Sequence, residues 1–130
     1  MRRPEGRSQL AHAYLALALL VEHGYEDAPD PIKARALEIG MTALRLDPGD
    51  GRCHQIVAAA HLCRGEFDQA MSHTERSIAL NPNDATGVEQ MGLVLARLGR
   101  AEEGIDFIRQ AMRLDPYHPD WYWTDLGIAL

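Results

Sequence analysis

A three-part echo constrains this chain more than any other feature. "LDPGD" at residues 46–50 returns as "LNPND" at 80–84 and again as "LDPYH" at 114–118, each time 34 residues on. A fixed period of that length marks chains built by stacking one small supersecondary unit, because such a unit cannot bury its apolar face alone. Each echo has the chemistry of a stop and a restart. The leucine is expected as the last buried residue of its helix, and the proline cannot continue a helix. The acidic or amide residues around it (Asp47, Asp50, Asn81, Asn83, Asp84, Asp115) can cap the helix that follows.

The residues between the echoes predict two helices per unit. Residues 51–65 and 85–99 each end in a glycine, Gly65 and Gly99, the residue favoured just past a helix C-terminus. Val88, Met91, Leu95 and Leu98 form an apolar stripe at helical spacing, as do Ile105, Ile108, Ala111 and Met112. The first unit departs from this plan. There "GYEDAPDP" stands where the tight turn should be, predicting an insertion of about seven residues with Asp30 as the cap of a helix begun by Pro31.

A helix–turn–helix period of 34 residues closed by proline resembles the tetratricopeptide repeat. Met91, Gly92 and Leu95 stand at that pattern's leucine, glycine and aromatic positions. Gly104 and Ile108 stand at its alanine and phenylalanine, and Ala111 and Pro116 at its end. The unit before it is looser, with His54, Val57, Ala58, His61, Ala70, Thr74, Ser77 and Pro82 in the corresponding places. "WTDLG" at 123–127 matches the opening W-x2-L-G directly, and Ala36, Gly40, Ala43 and Pro48 serve the first unit. The resemblance implies one all-α domain over 1–130. It is a solenoid of three antiparallel helix pairs, approximately 8–48, 49–82 and 83–116, plus a terminal helix at 119–130.

Composition narrows the function classes. A net charge of −6 and a pI near 5.4 provide no basic footprint for nucleic acid. Cys53 and Cys63 lie ten residues apart, about 15 Å along one helix, far beyond disulfide reach. Free thiols and a cytoplasmic setting follow. The arginines at 2, 3 and 7 before an apolar run from Ala13 to Val21 outline a secretory signal. Glu22-His23-Gly24 offers no small-residue cleavage site, however, and the run is too short to cross a bilayer, so a buried first helix is expected.

Catalytic chemistry is not legible. His54 and His61 are about 10.5 Å apart along a helix, too far to share an ion unaided, and no H-E-x-x-H or C-x-x-C is present. They are expected as packing histidines. Phosphate-loop and calcium-loop patterns are missing as well. The expectation is therefore no enzyme, no metal and no cofactor.

The resemblance implies a concave groove lined by the first helix of each pair. In register, its candidate lining is Tyr14, then Arg52, Gln55 and Ala59, then Glu89, Gln90 and Leu93, and finally Trp121, Thr124 and Asp125. Co-chaperone members hold a C-terminal carboxylate with a lysine, asparagine and arginine clamp. Here Tyr14, Ala18, Ile56, Gln90, Trp121 and Asp125 occupy those places, so a chaperone-tail ligand is not expected. The implied role is binding a protein or peptide segment of unspecified identity, with neither nucleic acid nor membrane as partner. The alternative is homo-oligomerisation through an apolar terminal helix, using Trp121, Tyr122, Trp123, Leu126, Ile128 and Leu130. Three consecutive aromatics on a helix cannot all face one neighbour. The tail also resembles repeat regions downstream of class III adenylate/guanylate cyclase domains and in some bacterial winged-helix regulators. It is thus expected to be an excerpt of a larger bacterial signalling protein.

Overall fold

The structure, a computed structural model, describes residues 4–129. Its α-helices are α1 (Pro4–Glu22), α2 (Asp30–Leu46), α3 (Gly51–Cys63), α4 (Phe67–Leu80), α5 (Ala85–Arg97), α6 (Ala101–Leu114) and α7 (Trp121–Ala129). A single 3-10 turn, Tyr25–Asp27, lies between α1 and α2, and no strand occurs among the described residues.

The punctuation acts through backbone hydrogen bonding. Asp50 caps α3 by accepting from the Arg52 and Cys53 N–H groups at 2.8 and 3.4 Å. Asp84 does the same for α5 through Thr86 N–H at 3.0 Å. Each satisfies donors that the first helical turn leaves open. Asp47 and Asp115 play another part, folding the connecting turns by accepting from Gly49 and Tyr117 N–H. Asn81 closes α4 instead of opening α5. Leu46, Leu80 and Leu114, expected buried, are each 40% exposed because each helix ends before a neighbour covers its last residue. The expected Asp30 cap is corrected too. Pro29 holds the extended cap position, Asp30 is already the first helical residue, and no side-chain cap bond forms. Gly65 and Gly99 take φ of 74° and 83°, the left-handed conformation a helix-ending glycine supplies without steric cost.

Packing sorts the helices into two layers. α1, α3, α5 and α7 touch in succession, whereas α2, α4 and α6 each pack between neighbours of the first set. Small residues recur at one register of two pairs. Ala58 on α3 and Ala70 on α4 are both fully buried. Gly92 and Gly104 occupy the same register between α5 and α6, where a Cβ on Gly92 would lie 2.6 Å from the Gly104 carbonyl oxygen.

α1 is buried on one face only: Ala13, Ala16 and Leu20 are fully enclosed against Ile39, Ala43 and Val57, whereas Tyr14, Leu15 and Val21 are about half exposed. At the other end Tyr122 is 1% exposed against Val88 and Ala111, and Leu126 packs on Ile108. Enclosing a ring of that size is worth about 4 kcal/mol, which fastens α7 to the third pair. Among the described residues no helix is long and apolar enough to cross a membrane.

Candidate functional site

The candidate groove residues are carried by α1, α3, α5 and α7, which touch in succession, and not all of them are open. Tyr14 and Trp121 are half exposed (50% and 51%), Arg52 and Thr124 are exposed, and Ala59, Gln90, Leu93 and Asp125 are partly covered. Gln55 and Glu89 are buried, at 4% each. As open lining, those two are corrected.

Gln55 is engaged within the fold. Its Nε2 donates to Asp84 Oδ2 at 2.6 Å, and its carbonyl accepts from Gln90 Nε2 at 2.9 Å. Thr74 Oγ1 donates in turn to Gln90 Oε1 at 3.2 Å. The chain thereby ties α3 to the cap of α5. Gln9, which carried no signal in the repeat pattern, makes the same kind of tie one unit earlier. Its Nε2 donates to Asp47 and Asp50 at 2.8 Å each. Beside these ties Asp47, Asp50 and Asp84 rim an open depression of about 450 Å³ at the turn end of the molecule.

Glu89 occupies the register of Gln55 one repeat on, yet a carboxylate has no hydrogen to donate. It faces Asp125 of α7, and burial first, then the hydrogen bond and charge of Asp125, push its carboxyl far above the ordinary range. The shift favours the protonated form of Glu89 beside Asp125. Its Oε1 is buried with no hydrogen-bond partner.

The insertion of the first unit folds across this face. Gly24 (φ 83°) and Tyr25 (φ 56°) turn the chain so that the 3-10 segment rests on α1 and α3. Glu26 then reaches α5, where Arg97 donates to it at 2.7 Å across 71 residues of sequence. The Tyr25 hydroxyl titrates higher than usual because of burial, then of Cys63 and Asp125. The length of the insertion was legible beforehand; its landing point on Arg97 was not.

Polar groups cluster also between α3 and α4. His54 Nε2 lies 2.9 Å from the Pro48 carbonyl oxygen and must carry a hydrogen, leaving Nδ1 to accept from His73 Nδ1–H at 3.1 Å. His61 stacks on His73 at 5.6 Å between ring centroids and meets Glu66 at 3.1 Å. Burial, then His54 and His61, hold His73 below the usual imidazole range. Among the described residues no set of three or more histidine, cysteine, aspartate or glutamate side chains could hold a metal ion. Both cysteines are free, and burial pushes Cys53 up to about 12 and Cys63 up to about 11, so neither is a thiolate nucleophile at neutral pH.

The tail residues divide. Trp121, Trp123 and Ile128 stand out at 51%, 60% and 51% exposure. Tyr122 and Leu126 are consumed by packing inside the chain, which corrects their place on an open association surface; Leu130 lies outside the described residues.

Comparison with solved structures identifies the fold. The second tetratricopeptide domain of human RPAP3, determined by NMR with the HSP70 peptide SGPTIEEVD, superposes with a TM-score of 0.75 at 15% identity, covering 96% of this chain and 97% of that one. The tetratricopeptide domain of Arabidopsis OM64 superposes at 0.78 and 15% identity, with 96% of each chain covered. The O-GlcNAc transferase of Thermobaculum terrenum matches the whole of this chain at 0.83 and 22% identity, but only 23% of its own length is involved. No family model matches the sequence, and no curated protein matches it. The fold is the all-α tetratricopeptide solenoid.

Proposed function

We propose that this chain is a protein–protein interaction module that receives a partner segment on the layer of α1, α3, α5 and α7. The observation that carries the proposal is the chemistry of that layer. Two half-exposed aromatics, Tyr14 on α1 and Trp121 on α7, share it with the exposed Arg52 and Thr124. Aromatic and arginine side chains are the anchors protein interfaces favour. The human RPAP3 domain of the same fold was solved with a peptide bound, which supports the same use here. The proposed setting is a larger bacterial signalling protein, supported by the resemblance of the tail to cyclase-associated repeat regions. The free buried thiols support a cytoplasmic location.

The test is a random-peptide display selection against the full chain, followed by binding of the selected peptides to Ala59→Trp. The indole would cover this part of the layer, so affinity is expected to fall at least about tenfold in a variant whose circular dichroism shows the helices retained. Undiminished binding of every selected peptide would remove the groove as the site.

A second reading is favoured by one observation, the exposure of Trp121, Trp123 and Ile128 on α7. These side chains can join two copies of the chain. Light scattering on the wild type and on Trp121→Ala/Trp123→Ala decides it. A dimer that becomes monomeric in the variant supports self-association, and a monomer in both excludes it.

A further inference from the structure

Helix α7 repeats α5, displaced by one residue more than the 34-residue period. Gly127 stands at the glycine of W-x2-L-G, as Gly92 does in its own unit, and Trp123 stands where Val88 does. Packing gives the same alignment. A Cβ on Gly87 of α5 would lie 3.3 Å from the Ser77 hydroxyl oxygen on α4. Tyr122 of α7 packs with Ala111 of α6, the residue one period after Ser77. Each of the two helices therefore leans on the pair before it in the same way.

On the side that turns from that pair they differ. On α5 this side is taken by α6. A Cβ on Gly92 would lie 2.5 Å from Ile108 Cγ1 and 2.6 Å from the Gly104 carbonyl oxygen, and Val88 packs with Ala111. On α7 a Cβ on Gly127 would meet nothing within 4 Å. Trp123 is 60% exposed there, steadied edge-on by His118 at 5.6 Å between ring centroids, and Ile128 is half exposed. Large apolar side chains exposed beside bare backbone mark an interaction surface.

The chain itself shows what fits such a surface. The second helix of every pair carries two small residues seven apart on its buried stripe: Ala36 and Ala43 on α2, Ala70 and Ser77 on α4, Gly104 and Ala111 on α6. We propose that α7 docks an amphipathic α-helix of this kind from another polypeptide, lying across Trp123 and Gly127 as α6 lies across Val88 and Gly92. Its first small residue rests on Gly127, where the two backbones can close. Its second, two turns on, leaves room for the indole of Trp123, which is larger than Val88. A second copy of this chain does not supply the helix, because the stripes of its α2, α4 and α6 are already buried within their own pairs. The surface is separate from the groove and does not depend on it.

The probe is a fluorescein-labelled peptide of residues 101–114. A 14-residue helix is marginal in water, so a lactam between Asp106 and Gln110→Lys, both exposed in α6, holds it helical. Fluorescence anisotropy follows its binding as the full chain is added, and saturable binding is expected. Gly127→Leu is expected to weaken it at least about tenfold. That leucine meets nothing in the free chain and favours the helix, so the variant keeps its fold, which circular dichroism verifies. The same peptide carrying Gly104→Leu is expected to lose at least about tenfold as well, because its backbone can no longer close on Gly127. No saturable binding, equal binding to Gly127→Leu, or equal binding of the Gly104→Leu peptide each overturns the proposal. So does light scattering that shows a dimer of the chain alone turned monomeric by Gly127→Leu, since the occupant would then be a second copy.

Discussion

Residues 51–82 and 85–116 share length, caps and closing turns, but their helix pairs meet in different ways. In the earlier pair the matching register is filled by the buried Ala58 and Ala70. In the later pair it is Gly92 against Gly104, where a Cβ on either residue would come within 2.6 Å of the other's carbonyl oxygen. Glycine inside a helix costs about 1 kcal/mol relative to alanine, so the later pair gives up helical propensity to let two backbones approach. Their buried polar groups differ as well. The earlier pair encloses His54 and His73 as a donor–acceptor couple, and the later one holds Glu89 against Asp125. Register decides where a side chain sits; the atoms at that place decide how near the next helix comes and which protons are held.

The largest expected effect breaks this contrast at the backbone. Gly92→Ala would place a methyl 2.5 Å from Ile108 Cγ1 and against the Gly104 carbonyl, neither of which can move without shifting α6. A loss of about 3 kcal/mol is expected, the upper part of the range for over-packing. Ala58→Gly in the matching position should cost about 1 kcal/mol. Calorimetric melting of the two variants compares them directly, and equal losses would show that α5 and α6 are not in closer contact than α3 and α4.

A smaller effect sharpens the contrast through pH. His73 is held below the ordinary imidazole value of 6.5. The stability it contributes is complete above about pH 6.5 and is lost as pH falls through its folded value. Glu89 acts with the opposite sign. Raised above the ordinary carboxyl value of 4.5, it contributes most at low pH and loses that contribution as pH rises through its folded value. Urea midpoints measured against pH should therefore show His73→Gln flattening the acidic limb of the wild-type profile. A wild-type-minus-variant difference that does not change below about pH 6.5 would contradict the His54–His73 arrangement.

Much of the architecture was legible because it is local. Asp50 and Asp84 bond to N–H groups two or three residues on, and Gly65 and Gly99 act on their own φ angles, so period and residue type suffice. Errors arose where the same residue types had more than one local use. Asp47 and Asp115 fold turns, and Asp30 enters its helix because Pro29 already holds the extended position before it. The groove was legible as a set of positions but not as a surface. Gln55 and Glu89 fell in register with exposed residues, and contact with the next repeat buried them. Tyr122 and Leu126 were lost from the outer face of α7 in the same way.

By itself, then, the sequence determined the repeat, the number and order of the helices and the stops between them, since each depends on bonds made within a turn or two of chain. The tertiary structure alone decided that Glu26 would reach Arg97, that Gln9 would meet Asp47 and Asp50, and that Glu89 would face Asp125. Those meetings depend on the curvature of the stack and on how closely each pair packs. Curvature is a sum over all the helix crossings, so it is written at no single residue.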